Sequence, residues 1–182
     1  EQIKRVMDAG ACGIIVPMVK TLEDVRRAVA AAKYPPAGSR SFGLSRAQGY
    51  GEAFGEYLEW ERGNSSVIIQ IEHVDAVNVV EEMFQEEGVA GYMVGPYDLS
   101  GSIGRPGDFL HPEYLDLMEQ IKTAAKKFNM PGGYHIVEPD LEQLKACVVE
   151  GHEFIAFSLD TRMLSVSART PLKTIREGGV IP

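Results

Sequence analysis

The chain has 182 residues, 45% of them hydrophobic and 24% charged, which is the composition of an ordinary globular protein with enough residues for one sizeable core. Its formal net charge of −8 argues against nucleic acid or an anionic membrane surface as a partner. No apolar run approaches the roughly 20 residues of a membrane-spanning helix. Cys12 and Cys147 form no CxxC or Cys/His cluster, so we expect reduced, core-packed thiols and a cytoplasmic location.

Short runs of branched and aromatic residues alternate with helical patterns along the whole chain. The runs have the flat apolar character of strands that are buried on both faces of a parallel sheet. Thr21 followed by Asp24 is typical of a capping box at the start of a helix. The predicted strands cover residues 13–17, 67–71, 91–94, 133–137 and 154–158. The predicted helices cover residues 1–9, 25–33, 54–62, 76–87, 111–128, 141–150 and, within a mixed tail, 171–176.

Three segments between these elements carry further predictions. Tyr34–Gly51 contains two prolines and four glycines, so we expect an irregular loop that is functional or forms a lid. The glycine-rich segment that follows Asp98 is expected to be a rim loop. The apolar stripe of the helix over 111–128 predicts core packing, as do Leu141 and Val148 on the helix over 141–150.

Alternating strands and helices predict an α/β fold with a parallel sheet and right-handed crossovers. No GxGxxG motif follows a strand and no GxxxxGK[ST] motif is present, so neither a dinucleotide site nor a nucleotide P-loop is indicated. The remaining parallel architecture is a TIM-type (β/α)8 barrel, which usually needs about 250 residues. We therefore expect residues 1–182 to form a single, partial barrel domain with five of its β/α units.

Two carboxylates follow two neighbouring predicted strands. Glu72 ends the segment VIIQIE and Asp98 ends YMVGPYD. The carboxyl ends of parallel strands form the working face of such folds, and two acids at one rim can bind a hard divalent cation. The alternative is that Glu72 is an acid at a helix N-terminus and Asp98 is a turn residue.

The segments GIIVPMV, YPPAGSRSFGLSRAQGYG, QIE and GPYDLSGSIG, in this order, resemble the HpcH/HpaI family of pyruvate-type class II aldolases. The resemblance extends from Glu1 to about Leu164. It implies that this chain is about the last five β/α units of a TIM-type barrel. It also implies an oligomer, typically a hexamer, that uses Mg²⁺, Mn²⁺ or Co²⁺. Such an enzyme cleaves a 4-hydroxy-2-oxo acid to pyruvate and an aldehyde through a metal-stabilised pyruvate enolate.

The resemblance also implies roles for individual residues. Glu72 and Asp98 become the metal ligands, and Gln70 lies beside the pyruvate or enolate oxygen. The backbone N–H groups of Tyr97 and Asp98 hold the pyruvate carboxylate. No lysine lies at the end of a predicted strand, where it could form a Schiff base with the substrate. This agrees with a metal-dependent mechanism.

The family pattern also contains earlier β/α units with a histidine–aspartate base and a substrate-binding arginine, and no position here matches them. We therefore expect the chain to be a fragment of a longer enzyme. The alternatives are a non-catalytic or split-barrel scaffold subunit and a lyase acting on CoA esters, although no basic cluster for CoA phosphates is visible.

Two further side chains are candidates for the same site. His135 lies in the predicted strand GYHIV and is either a base or aldehyde contact or a hydrogen-bonded core histidine. Arg46 either reaches an acidic substrate or a neighbouring subunit, or is an exposed loop residue.

Overall fold

A computed structural model describes residues 1–178 of the protein. The chain divides into two compact units, Glu1–Gly132 and a second unit that begins at Gly133. Within the described residues, no helix has both the length and the apolar character needed to cross a bilayer.

The first unit is built on three parallel strands in the order β1 (Gly13–Val16), β2 (Ser66–Ile71) and β3 (Val89–Val94). Their register places Ile69 beside Val16 on one side and Tyr92 on the other. Every second residue of β2 is fully buried, beginning at Val67. This alternation lets one face pack in the core while the residues between, including Gln70, face the other side of the sheet.

Helices lie between the strands along the chain and cover the sheet. Helix α2 begins at the predicted capping box, in which Thr21 Oγ1 accepts from the Asp24 N–H and the Asp24 carboxylate accepts from the Thr21 N–H. The helices of the first unit are α1 (Gln2–Asp8), α2 (Leu22–Ala32), α3 (Phe54–Asn64), α4 (Val74–Asn78), α5 (Val80–Phe84), α6 (Pro96–Ser102) and α7 (Pro112–Phe128). The predicted core stripe of α7 is confirmed, since Tyr114, Leu117, Met118, Ile121 and Ala124 are buried.

The helix predicted over 76–87 is interrupted. Val79 leaves helical geometry with φ −126° and ψ 19°, which separates α4 from α5, and α5 ends at Phe84. Val79 lies beside Val80 in a run where branched side chains crowd the preceding turn, so this stretch has low helix propensity.

The long segment Tyr34–Gly51 is irregular as far as Ser45 and then forms a 3-10 turn at Arg46–Gly51. Arg40, near its middle, is buried and forms an ion pair with Asp8 of α1, with 2.6 Å between Nη2 and Oδ1. Its guanidinium also lies over the Tyr34 ring, 4.4 Å from the centroid. The buried Arg40 side chain therefore attaches this segment to helix α1.

The second unit contains all but the first residue of β4 (Gly132–Ile136), followed by α8 (Leu141–Val149), β5 (Phe154–Phe157) and α9 (Asp160–Glu177). Strands β4 and β5 are parallel, with His135 beside Ala156. One prediction here was wrong. Leu141 and Val148 are exposed, and α8 buries Cys147 instead. The helix predicted over residues 171–176 is present as part of α9, which begins at Asp160 and continues through Pro171. The Thr170 and Thr174 hydroxyls donate to carbonyls one turn earlier.

The two cysteines are free thiols with different surroundings. Cys147 is buried, as predicted, whereas Cys12 is exposed. Cys12 precedes β1 in the turn after α1.

Candidate active site at the carboxyl ends of strands β2 and β3

Glu72 directly follows β2 and is only 3% exposed. Gln70 lies two residues earlier, so both side chains leave the strand on the same face. The Gln70 amide Nε2 donates to Glu72 Oε2 at 2.6 Å, and the backbone N–H of Met18 donates to Glu72 Oε1 at 2.7 Å. A buried carboxylate needs such charge-assisted bonds to offset its lost hydration. The two donors give Glu72 a defined orientation.

Gly95 brings the end of β3 against this carboxylate. Its N–H donates to the carbonyl of Ile71 at 3.2 Å. A Cβ at position 95 would lie 2.5 Å from Glu72 Oε2 and 2.8 Å from Gln70 Nε2. The φ of Gly95 is −100°, so glycine is required here by close approach rather than by backbone conformation.

Replacing Gly95 with alanine is expected to displace Glu72 and to destabilise the protein by about 1–3 kcal/mol, the usual cost of overpacking. The matched control is Gly101→Ala in helix α6, where nothing lies within 4 Å of the added Cβ. Because alanine has the higher helix propensity, G101A is expected to stabilise by about 0.5–1 kcal/mol. Urea denaturation of both variants measures the difference, and equal stabilities would contradict the tight contact at Gly95.

Asp98 lies in the first turn of helix α6, which begins at Pro96 and also includes Gly101 and Ser102, the first two residues of the segment predicted to be a rim loop. Gly95 is the N-cap, so the helix starts as soon as β3 ends. The Asp98 side chain is exposed, in a position where the positive end of the helix dipole favours an anion. The N–H groups of Tyr97 and Asp98 belong to the first turn, in which backbone donors have no acceptor within the helix.

The Tyr97 ring is partly exposed and contacts Phe109 edge to face, with 5.1 Å between the centroids.

The carboxyl ends of the adjacent strands β2 and β3 bring together Gln70, Glu72 and the turn that leads to Asp98. Carboxyl ends of strands are where parallel α/β folds bind their substrates.

The other two candidates from the sequence are Arg46 and His135. Arg46 Nη1 donates to the carbonyl of Ala9 at 2.8 Å and so caps the end of α1. His135 lies on β4 in the second unit, and its Nε2 is buried without a hydrogen-bond partner in the described part of the chain. The expected roles of both residues in substrate contact stay predictions.

Two groups of this site were not predicted from the sequence, the Met18 N–H and Gly95. The sequence shows a Pro-Met pair after β1 and a glycine after β3, but it gives no sign that either one contacts Glu72. Met18 is 54 residues away from Glu72 along the chain, so only the pairing of β1 with β2 brings them together.

Carboxylates at two neighbouring strand ends are the type of donor that a hard divalent cation prefers. Within residues 1–178, no three His, Cys, Asp or Glu side chains form a group that could hold a metal ion. Glu72 and Asp98 can supply two carboxylates, and Mg²⁺ is commonly bound by one or two carboxylates while water and substrate fill its other positions. Buried, oriented Glu72 meets the requirement for one of them.

A sequence profile described as HpcH/HpaI aldolase/citrate lyase matches residues 1–166. The chain belongs to the HpcH/HpaI aldolase/citrate lyase family. This confirms the resemblance found in its motifs.

Members of the HpcH/HpaI family match most of this chain. The hydroxypyruvate/pyruvate aldolase of Sagittula stellata is 38% identical over 168 residues, which are 92% of this chain and 65% of the relative. The 2-keto-3-deoxy-L-rhamnonate aldolase of Escherichia coli K12 is 33% identical over 178 residues, which are 97% of this chain and 66% of the relative. The chain thus spans just under two thirds of the length of these curated relatives.

A solved structure of an HpcH/HpaI aldolase/citrate lyase family protein from Burkholderia cenocepacia J2315 has a TM-score of 0.87 to this chain at 30% identity. The match covers 96% of this chain and 68% of that one. Together with the five β/α units, it confirms the predicted fold class, part of a TIM-type barrel.

Proposed function

We propose that the protein is a divalent-metal-dependent aldolase that cleaves a 4-hydroxy-2-oxo acid to pyruvate and an aldehyde. The observation that carries the proposal is the buried carboxylate of Glu72, held by Gln70 and the Met18 N–H at a strand end beside the turn that contains Asp98. The aldolases among its relatives support the reaction class.

Glu72 and Asp98 would hold a cation such as Mg²⁺, Mn²⁺ or Co²⁺. When bound, the cation would supply Lewis-acid polarisation of the 2-oxo group of the substrate. Burial of Glu72 supports this role because a carboxylate that is removed from water interacts more strongly with a nearby cation. Asp98 is exposed, which leaves its side of the site open to substrate.

The polar groups around the two carboxylates would bind the pyruvate portion of the substrate. A glutamine amide has two N–H donors, so Gln70 can keep its bond to Glu72 and donate the second to a substrate oxygen. The N–H groups of Tyr97 and Asp98, at the start of α6, are suited to hold the substrate carboxylate. Fixed donors of this kind stabilise developing negative charge without reorganisation.

Chelation tests the proposal directly. We expect EDTA to abolish pyruvate release from a 4-hydroxy-2-oxo acid and added Mn²⁺ or Mg²⁺ to restore it, with pyruvate measured by coupled oxidation of NADH. Borohydride in the presence of pyruvate serves as the control, since it traps a Schiff base on lysine and should leave this protein unmodified. Pyruvate release that survives EDTA, or a borohydride adduct on a lysine, would contradict the metal-dependent mechanism.

A further inference from the structure

Met18 has an unusual backbone conformation for its residue type. It follows β1 and Pro17, and its φ is 54°, in the left-handed region that L-residues other than glycine, asparagine and aspartate seldom occupy. Its side chain is 47% exposed, so packing of that side chain does not account for the conformation. The next residue, Val19, is buried.

The left-handed turn at Met18 sets the direction of the Met18 backbone N–H. This group donates to Glu72 Oε1 at 2.7 Å, while Gln70 donates to Oε2. The turn after β1 thus contacts the end of the adjacent strand β2, and its Met18 N–H fixes Oε1, the second carboxylate oxygen of Glu72. Strained backbone of this kind concentrates where a site must be held in a defined geometry.

We propose that Met18 is a positioning residue whose left-handed backbone orients Glu72 for cation binding. This inference rests on the proposed function, in which Glu72 is a metal ligand. The contribution comes from the backbone N–H, so it depends on whether the residue at position 18 accepts a positive φ and not on the thioether. Glycine accepts this conformation freely, whereas a β-branched residue strongly resists it.

The first test compares Met18→Gly with Met18→Ile by electron paramagnetic resonance titration of Mn²⁺. We expect M18I to bind Mn²⁺ about 10- to 100-fold more weakly than M18G, the range found when a group that orients a metal ligand is lost. The matched control is Asn129, which has φ 51° at the end of α7. N129I and N129G meet the same backbone constraint and should bind Mn²⁺ equally, even where their melting temperatures differ.

The second test needs no metal and no variant of Met18. In the metal-free protein the Met18 amide should exchange slowly with solvent, and Glu72→Ala should raise its exchange rate to that of an exposed amide, with α7 amides unchanged. This hydrogen-exchange measurement by NMR decides the question even if M18I does not fold.

Three outcomes would overturn the inference: equal Mn²⁺ affinities of M18G and M18I, the same affinity difference between N129G and N129I, or rapid exchange of the Met18 amide in the unmodified protein. Mn²⁺ affinity in Glu72→Gln separates this inference from the proposed function. If E72Q binds Mn²⁺ as tightly as the unmodified protein, Glu72 is not a ligand and the proposed function fails. If E72Q loses binding while M18I retains it, only the role of Met18 fails.

Discussion

Replacing Glu72 with glutamine is expected to lower metal-dependent pyruvate release by about a hundredfold or more, because the variant loses a charged ligand while keeping the side-chain shape. Asp98→Asn is expected to have a similar effect. Steady-state rates measured over a range of Mn²⁺ concentrations would show whether the loss is in metal affinity or in turnover. Glu119→Gln, which changes an exposed glutamate on α7, is the control and should be as active as the unmodified protein.

Stability should change little in these variants, which separates a role in the site from a role in folding. A glutamine at position 72 can still accept from the Met18 N–H, and removal of a buried charge relieves its desolvation. Asp98 is exposed, so its loss removes no buried contact. If either variant keeps full metal-dependent activity, the assignment of that carboxylate as a ligand is wrong.

Replacing Asp8 with asparagine is expected to destabilise the protein by about 3 kcal/mol at pH 7, because it leaves the fully buried Arg40 guanidinium without its counter-charge. Asp8 Oδ1 accepts from both Nε and Nη2 of Arg40, at 3.2 and 2.6 Å. Urea denaturation measures the change. Glu81→Gln is the control, since it breaks the exposed ion pair with Lys127 and should cost less than about 1 kcal/mol.

The stability difference between Asp8→Asn and the unmodified protein should also depend on pH. Burial alone would raise the pKa of Asp8, but hydrogen bonds from Lys4 and Arg40 outweigh it, so the pKa lies below the ordinary value of 3.8. A carboxyl group with a lowered pKa in the folded state stabilises the protein fully above its unfolded pKa and loses this effect as pH falls through the folded value. The difference should therefore be constant near neutral pH and shrink below about pH 4. A difference that persists unchanged to pH 2.5 would contradict the ion pair.

Local patterns in the sequence were sufficient to predict most strands and helices. The five apolar runs became five strands, and the Thr21–Asp24 capping box and the apolar stripe of α7 formed as predicted. These features depend on residues at most a few positions apart, so the local sequence is sufficient to predict them. The same holds for Gln70 and Glu72, whose spacing of two places them on one face of β2.

Tertiary structure decided the contacts between residues that are distant along the chain. The Met18 N–H reaches Glu72 across 54 residues, and Arg40 pairs with Asp8 across 32. The lack of space at Gly95 exists only because β3 lies beside β2. The sequence-based prediction also missed the interruption of the helix at Val79 and the continuation of helix α9 through Pro171. The sequence by itself thus determined where the five strands and most helices form and offered Gln70, Glu72 and Asp98 as candidates, whereas strand pairing determined how Glu72 is held, since no local periodicity encodes which strand ends meet.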